Sequence, residues 1–215
     1  MDSKIFFLSG LGADKRAFAS LDLSTEKDIV YVDWMIPYKK ESIQNYANRL
    51  IQEYQISKQD ILVGLSFGGL MAVEILHLLN NDKVVLISSA SCKKELHPFV
   101  RITGVLGLNY LLPKSKLNQP NKFIYKGFNV KSETEKELLT QIIKDSNNDF
   151  VYWALHKMGQ WNRKERHPSI IKIHGDNDLM IPINNKPNDL TINDGGHFMV
   201  VDRAPEVSEI LNTLI

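Results

Sequence analysis

The stretch Gly64-Leu65-Ser66-Phe67-Gly68, followed at once by Gly69, constrains the fold of this chain more than any other. It lies where an apolar run, Ile61-Leu62-Val63, meets a helix-like run from Leu70 to Leu79. A short aliphatic run bounded by glycine reads as a buried strand, and the run after it has helical length. A strand that ends in Gly-x-Ser-x-Gly and turns straight into a helix has little space at the turn. Gly64 and Gly68 answer to the strained backbone angles and close helix–strand contact of such a turn. The same turn lifts the hydroxyl of Ser66 into the open, where it can attack a carbonyl. The backbone N–H of Phe67, just after the serine and at a helix N-terminus, is a candidate donor to an oxyanion. Taken alone the pattern is also compatible with a glycine-rich junction or a phosphate cradle; its place between a strand pattern and a helix pattern favours the exposed serine.

The rest of the chain repeats the alternation. Strand candidates are Lys4–Ser9, Asp28–Asp33, Ile61–Leu65, Lys83–Ser88, Ile170–His174 and Asp189–Asn193. Several are nearly continuous in Ile, Val, Leu and Phe, as parallel strands buried on both faces are. Helix candidates are Ser42–Tyr54, Phe67–Asn80 and Pro205–Leu214, with Pro205 suited to a first turn. This predicts an α/β fold, a doubly wound, mostly parallel six-stranded sheet with helices on both faces. Chemistry in such sheets gathers at the carboxyl ends of the strands.

Residues 91–168 break the alternation. They carry no convincing strand and read as helical pieces, notably Ser132–Lys144 and Asp149–Trp161. The expectation is a core of residues 1–90 and 169–215 with 91–168 inserted as a helical cap over the carboxyl edge. The aromatic residues of the insertion, Trp153 among them, are expected to form a small core of their own, with some facing the serine. Trp34, just past a strand's carboxyl end, is a second candidate for a substrate pocket wall. The insertion holds 14 Lys and Arg against 7 Asp and Glu, whereas the remainder is acidic. That contrast admits attraction between lobe and core, or a field that draws in anionic substrates.

The 215 residues suit one domain with an inserted lobe, and a net charge of +1 names no nucleic-acid partner. No apolar run reaches the length of a membrane span, and the apolar stretch near the N-terminus is too short for a secretory signal. A single cysteine, Cys92, allows no internal disulfide, so the cytoplasm is the expected compartment. No His-x-His or His-x-x-x-His spacing occurs, so no metal site is expected, and no cofactor is called for.

Downstream of Ser66 two loops carry the partners a serine nucleophile needs. His174-Gly175-Asp176-Asn177-Asp178 follows one strand pattern, and Asp194-Gly195-Gly196-His197 follows the next. His197 would take the proton of Ser66 and return it to the leaving group, and a carboxylate would hold the imidazole in the right tautomer. His174, at a strand end, reads as a structural hydrogen-bonding residue.

This order of parts resembles the α/β-hydrolase superfamily over nearly the whole chain. The resemblance places the acid of a Ser-Asp-His triad on Asp178, the last residue of a Gly-x-x-Asp pattern, and leaves Asp176 a turn residue. It implies a second oxyanion donor, the N–H of Leu11, in the loop Ser9-Gly10-Leu11-Gly12, with Gly10 and Gly12 supporting that loop. Many relatives have histidine where this chain has Ser9, whose hydroxyl is available in its place. The implied activity is a serine hydrolase, carboxylesterase-like, acting through an acyl-enzyme on a small or medium ester or thioester, anionic esters included. Two other readings stay open. Gly10-Leu11-Gly12 with Asp33 echoes a nucleotide-binding unit of an oxidoreductase, although Lys15 stands where a third glycine belongs. The scaffold also serves lyases, haloperoxidases and non-catalytic binders.

Overall fold

In the computed structural model, which describes residues 3–100, 113–184 and 189–215, the six apolar runs form one sheet. Its strands are β1 (Ile5–Leu8), β2 (Ile29–Val32), β3 (Ile61–Leu65), β4 (Lys83–Ile87), β5 (Ile170–Gly175) and β6 (Leu190–Ile192), in the order β2-β1-β3-β4-β5-β6. Every neighbouring pair is parallel. From β1 the chain winds outward to β2, then returns to place β3 on the other side of β1. The winding therefore reverses between β1 and β3, and a crevice opens beyond their carboxyl ends. The loop starting at Ser9 and the turn at Ser66 leave the sheet at these two strand ends.

Period-two alternation sorts the strand residues between two cores. Phe6 and Leu8 join one buried cluster with α1 (Ile43–Tyr54) and α2 (Phe67–Leu79), while Ile5 and Phe7 join the other with Phe18, Val207 and Leu211. Helix α1 buries Ile43, Tyr46, Ala47 and Leu50, a single helical stripe, and is capped by the Ser42 hydroxyl, which accepts from the N–H of Asn45. Between β1 and β2 only a 3-10 turn, Lys15–Phe18, covers the sheet. Four residues are too few to show a period, so the sequence carried no sign of it.

The long connection from β4 to β5 contains three α-helices among its described residues, α3 (Lys122–Gly127), α4 (Glu133–Asp145) and α5 (Asn148–Gln160), two 3-10 turns, Lys93–Glu95 and Lys114–Lys116, and no strand. Helix α4 begins with a capping box between Ser132 and Glu135. Asn147 caps α5 by accepting from the N–H groups of Asp149 and Phe150. The large aromatics of this stretch do not make a core of their own. Phe150, Trp153 and Trp161 pack into the cluster formed by α1, α2 and the sheet. The indole N–H of Trp161 and the guanidinium of Arg163 donate to the carboxylate of Glu74, which is fully buried in α2 and also accepts from Gln44. A buried carboxylate with no partner is costly, so Glu74 fixes where the returning chain meets the sheet. Strand β6 leads to a one-turn helix, α6 (Met199–Asp202), and then to α7 (Ala204–Leu214), whose first turn holds Pro205.

Candidate active site

Ser66 joins β3 to α2 with φ 51° and ψ −117°, a conformation that side chains other than glycine seldom adopt. Its own backbone is tied down on both sides. The N–H of Ser66 donates to the carbonyl of Ile87 at 3.0 Å, and its carbonyl accepts from the N–H of Gly69 and the hydroxyl of Ser89. The glycines are demanded by contact. A Cβ on Gly68 would overlap the carbonyl oxygen of Leu8, and one on Gly64 would lie 2.5 Å from the Cα of Gly69. Helix α2 can therefore start against the end of β1 only if these positions lack side chains.

Ser66 Oγ lies 2.8 Å from His197 Nε2. On the other side of the ring, Nδ1 is 2.9 and 3.1 Å from the two carboxylate oxygens of Asp178. A nitrogen that close to a carboxylate carries the hydrogen, which leaves Nε2 with its lone pair toward the serine hydroxyl. The chain thus brings together, from the ends of β3, β5 and β6, three residues spread over more than a hundred positions. Asp176, the other carboxylate of the loop, is exposed and outside this group.

Asp178 is held from several directions. Its Oδ1 accepts the N–H groups of Met180 and Ile181, both at 2.9 Å. His174 Nε2 donates to the carbonyl of Ile181 at 2.8 Å and stands 3.4 Å from Asp178 Oδ2. This imidazole closes the turn that carries the acid, the structural role its sequence position suggested. Burial alone would push the Asp178 carboxyl up. The neighbouring imidazoles of His197 and His174 and the amide of Ile181 outweigh it and hold the group well below the usual carboxylate range. The ring of Phe128 meets His197 edge-on, with centroids 5.0 Å apart.

The loop after β1 faces Ser66, and an ideal Cβ on Gly10 would sit 3.7 Å from the Cβ of the serine. Its shape is kept by the hydroxyl of Ser9, which donates to the carbonyl of Ala13 at 2.6 Å, and by Trp34, whose indole N–H donates to the carbonyl of Gly10 at 3.1 Å. Gly12 has φ +65°, and a Cβ there would strike Ser146 and Val151 at 2.7 Å. Leu11 and Phe67 both line the cavity in which Ser66 and His197 stand.

That cavity has a volume of about 390 Å³. Trp34 and Trp153 are not among its described lining residues, which corrects the expectation that they wall the pocket. Both belong to an aromatic cluster behind it: Trp34 stacks on Phe150 with centroids 5.0 Å apart, and Trp153 lies 4.5 Å from Tyr46 and donates to the carbonyl of Glu41. Trp34 reaches the site indirectly, through Gly10. Aliphatic side chains of α4 and α5 form the walls instead. Sequence reasoning missed Ser89 and these wall residues, and among the aromatics of the insertion expected to face the serine it did not single out Phe128. An aliphatic stripe on a helix looks the same whether it meets a core or a cavity. Among the described residues no group of His, Cys, Asp or Glu could hold a metal ion, and no helix is long and apolar enough to cross a membrane.

No protein-family model and no curated protein sequence matches the chain. Solved structures do match it over nearly its whole length. An enol-lactonase from Burkholderia xenovorans superposes with a TM-score of 0.75 at 16% identity, covering 100% of this chain and 92% of that one. An esterase from Exiguobacterium antarcticum gives 0.73 at 17% identity, covering 99% and 91%. A Mycobacterium tuberculosis protein described as a non-haem bromoperoxidase gives 0.72 at 15% identity, covering 100% and 92%. The six-stranded parallel sheet with helices on both faces is the α/β-hydrolase fold.

Proposed function

We propose that the protein is a serine hydrolase that cleaves a small or medium carboxylic ester or thioester through an acyl-enzyme. The observation that carries the reading is the unbroken contact from Ser66 Oγ through His197 to the buried carboxylate of Asp178, at 2.8 and 2.9 Å. It opens into a cavity that Leu11 and Phe67 also line.

In this reading the Ser66 oxygen attacks the substrate carbonyl while His197 Nε2 takes its proton. Asp178 stabilises the imidazolium and keeps its Nδ1 proton in place. The carbonyl oxygen gains negative charge and is met by the amides of Leu11 and Phe67, each worth about 3–4 kcal/mol to the transition state. Collapse of this intermediate breaks the bond to the leaving alkoxide or thiolate, which takes the proton from His197. A water then enters, gives a proton to His197 and attacks the acyl carbon, and the proton returns to Ser66 as the acid leaves. Residues 91–168 act as a cap, since their described helices wall the cavity above the serine. The esterase and the enol-lactonase that share the fold are in keeping with acyl transfer at this site.

The test is a fluorophosphonate probe together with p-nitrophenyl esters. The wild-type protein is labelled and turns over ester, and Ser66→Ala loses both. Labelling that survives the substitution would put the nucleophile elsewhere.

A further inference from the structure

The glycine pair before His197 is pressed from two sides. A Cβ on Gly195 would lie 3.0 Å from the Cα of Gly175, at the end of β5. A Cβ on Gly196 would lie 2.5 Å from the Cβ and 3.0 Å from the Nδ2 of Asn129. Gly195 thus makes room for the sheet, and Gly196 for the turn between α3 and α4. The backbone of Gly196 does not itself demand glycine, because its φ is not positive, and the three atoms nearest to a Cβ there all belong to Asn129. The same turn meets the histidine loop at other points. Phe128 packs against the rings of His197 and Phe198. The Lys131 ammonium lies 3.4 Å from the carbonyl oxygen of Asp194 and 3.9 Å from the carboxylate of Asp202, one on either side of His197.

Asn129 is the unexpected residue of this turn. Helix α3 ends in a Schellman pattern, in which the N–H of Val130 donates to the carbonyl of Tyr125 at 3.0 Å and that of Asn129 to the carbonyl of Lys126 at 3.1 Å. Asn129 holds the left-handed position of the pattern, with φ 55°, where glycine is the usual residue. Its amide nitrogen is buried and has no hydrogen-bond partner among the described residues, which costs stability. For the helix end alone glycine would serve as well. What the asparagine side chain adds is its contact with Gly196.

We infer that Asn129 is a positioning residue for His197: its side chain backs Gly196 and keeps the imidazole in reach of both Ser66 and Asp178. The inference rests on the serine-hydrolase reading above and adds to it a part carried by the β4–β5 connection rather than by the sheet. The imidazole must meet Ser66 Oγ at 2.8 Å and Asp178 Oδ2 at 2.9 Å at once, so a shift of the loop breaks one contact or the other. Asn129 is not among the described residues that line the cavity, whereas Phe128 is. Its effect therefore falls on the chemical step and not on the fit of one acyl group over another. A methyl group added at Gly196 would have to move about 1 Å to reach an ordinary carbon–carbon separation from Asn129, and a displacement of that size in a catalytic group costs about 10²-fold in rate.

The experiment compares Gly196→Ala, Asn129→Gly and the double variant with wild type, by kcat and KM for p-nitrophenyl acetate and octanoate and by thermal melting. Gly196→Ala should lower kcat about 100-fold for both esters, with KM within about twofold. Asn129→Gly loosens the loop without displacing it and should lower kcat about three- to tenfold for both esters, while Tm stays within about 3 °C of wild type or rises. In the double variant the new methyl group occupies space the asparagine has left, so at least about tenfold of the activity lost in Gly196→Ala should return. If Gly196→Ala does not fold, the double variant should fold and turn over ester. Wild-type kcat in either single variant, a loss carried by KM or confined to one ester, a fall in activity of Asn129→Gly matched by a fall in Tm, or a double variant no better than Gly196→Ala would overturn the inference. In each of those cases wild-type labelling that depends on Ser66 leaves the hydrolase reading standing, and labelling that survives Ser66→Ala removes that reading instead.

Discussion

Replacing Asp178 with asparagine keeps the shape of the side chain and inverts its hydrogen bonding. Oδ1 accepts two backbone N–H groups, from Met180 and Ile181. The amide oxygen of an asparagine must take that place, because an NH2 group there would face two donors. The NH2 then replaces Oδ2, 2.9 Å from His197 Nδ1 and 3.4 Å from His174 Nε2. The amide oxygen, 3.1 Å from Nδ1, already takes two N–H groups, so His197 meets the nearer NH2 by accepting at Nδ1, which moves the ring proton to Nε2, 2.8 Å from Ser66 Oγ. The imidazole now donates to the serine and cannot take its proton. The loss expected for a triad locked in the wrong tautomer is about 10⁴ in kcat, or about 5 kcal/mol of transition-state stabilisation. Asp178→Ala should retain more activity than Asp178→Asn, since it leaves the tautomer free to change. Asp176→Asn, on the exposed side of the same loop, should stay within about twofold of wild type, or about 0.4 kcal/mol. The assay is kcat for p-nitrophenyl hexanoate, with thermal melting to show that each variant is folded. Activity of folded Asp178→Asn within tenfold of wild type would refute the tautomer argument.

Other perturbations test the supports of the site and of the fold. His174→Phe removes the donor to the buried carbonyl of Ile181, so kcat should fall about tenfold, the equivalent of one lost hydrogen bond, and His174→Gln should recover most of it; steady-state kinetics of the pair decides. Gly68→Ala pushes a Cβ into the carbonyl of Leu8 and should abolish the probe reaction or the soluble fold, as read by labelling and melting. Glu74→Ala leaves Arg163 and the Trp161 indole without their shared acceptor, which should cost about 3–5 kcal/mol and lower Tm by roughly 6–20 °C in calorimetry. Asp178 binds its proton more weakly in the folded than in the unfolded chain. The unfolded state therefore takes up more protons on acidification, and the stability that Asp178 contributes drains away below about pH 4. Folded Asp178→Asn should show a shallower loss of Tm with acid than wild type over that range.

What the sequence made legible follows from how local each signal is. The strands were readable because a parallel strand buried on both faces must be apolar throughout, as Ile61-Leu62-Val63 and the run from Lys83 to Ile87 are. The turn at Ser66 was readable because glycine is the only residue that fits so near β1. Asp178 needed a family pattern as well, since Asp176 lies two residues away and has the same chemistry. Ser89 and His174 were harder. Ser89 acts through the carbonyl of Ser66, and His174 through the carbonyl of Ile181 and the carboxylate of Asp178, and no spacing in sequence foretells these contacts. The pocket was misread for a physical reason. Tryptophan is a frequent wall residue, but here Trp34 and Trp153 stack with Tyr46 and Phe150 while aliphatic side chains face the cavity.

The most direct test is to catch the acyl group on its residue. Wild-type protein mixed with p-nitrophenyl octanoate, quenched in acid within the first turnovers and digested, should yield the peptide containing Ser66 with an octanoyl mass added, alongside an early release of p-nitrophenol no larger than one per active site. Steady turnover with the octanoyl group on another residue would contradict the account.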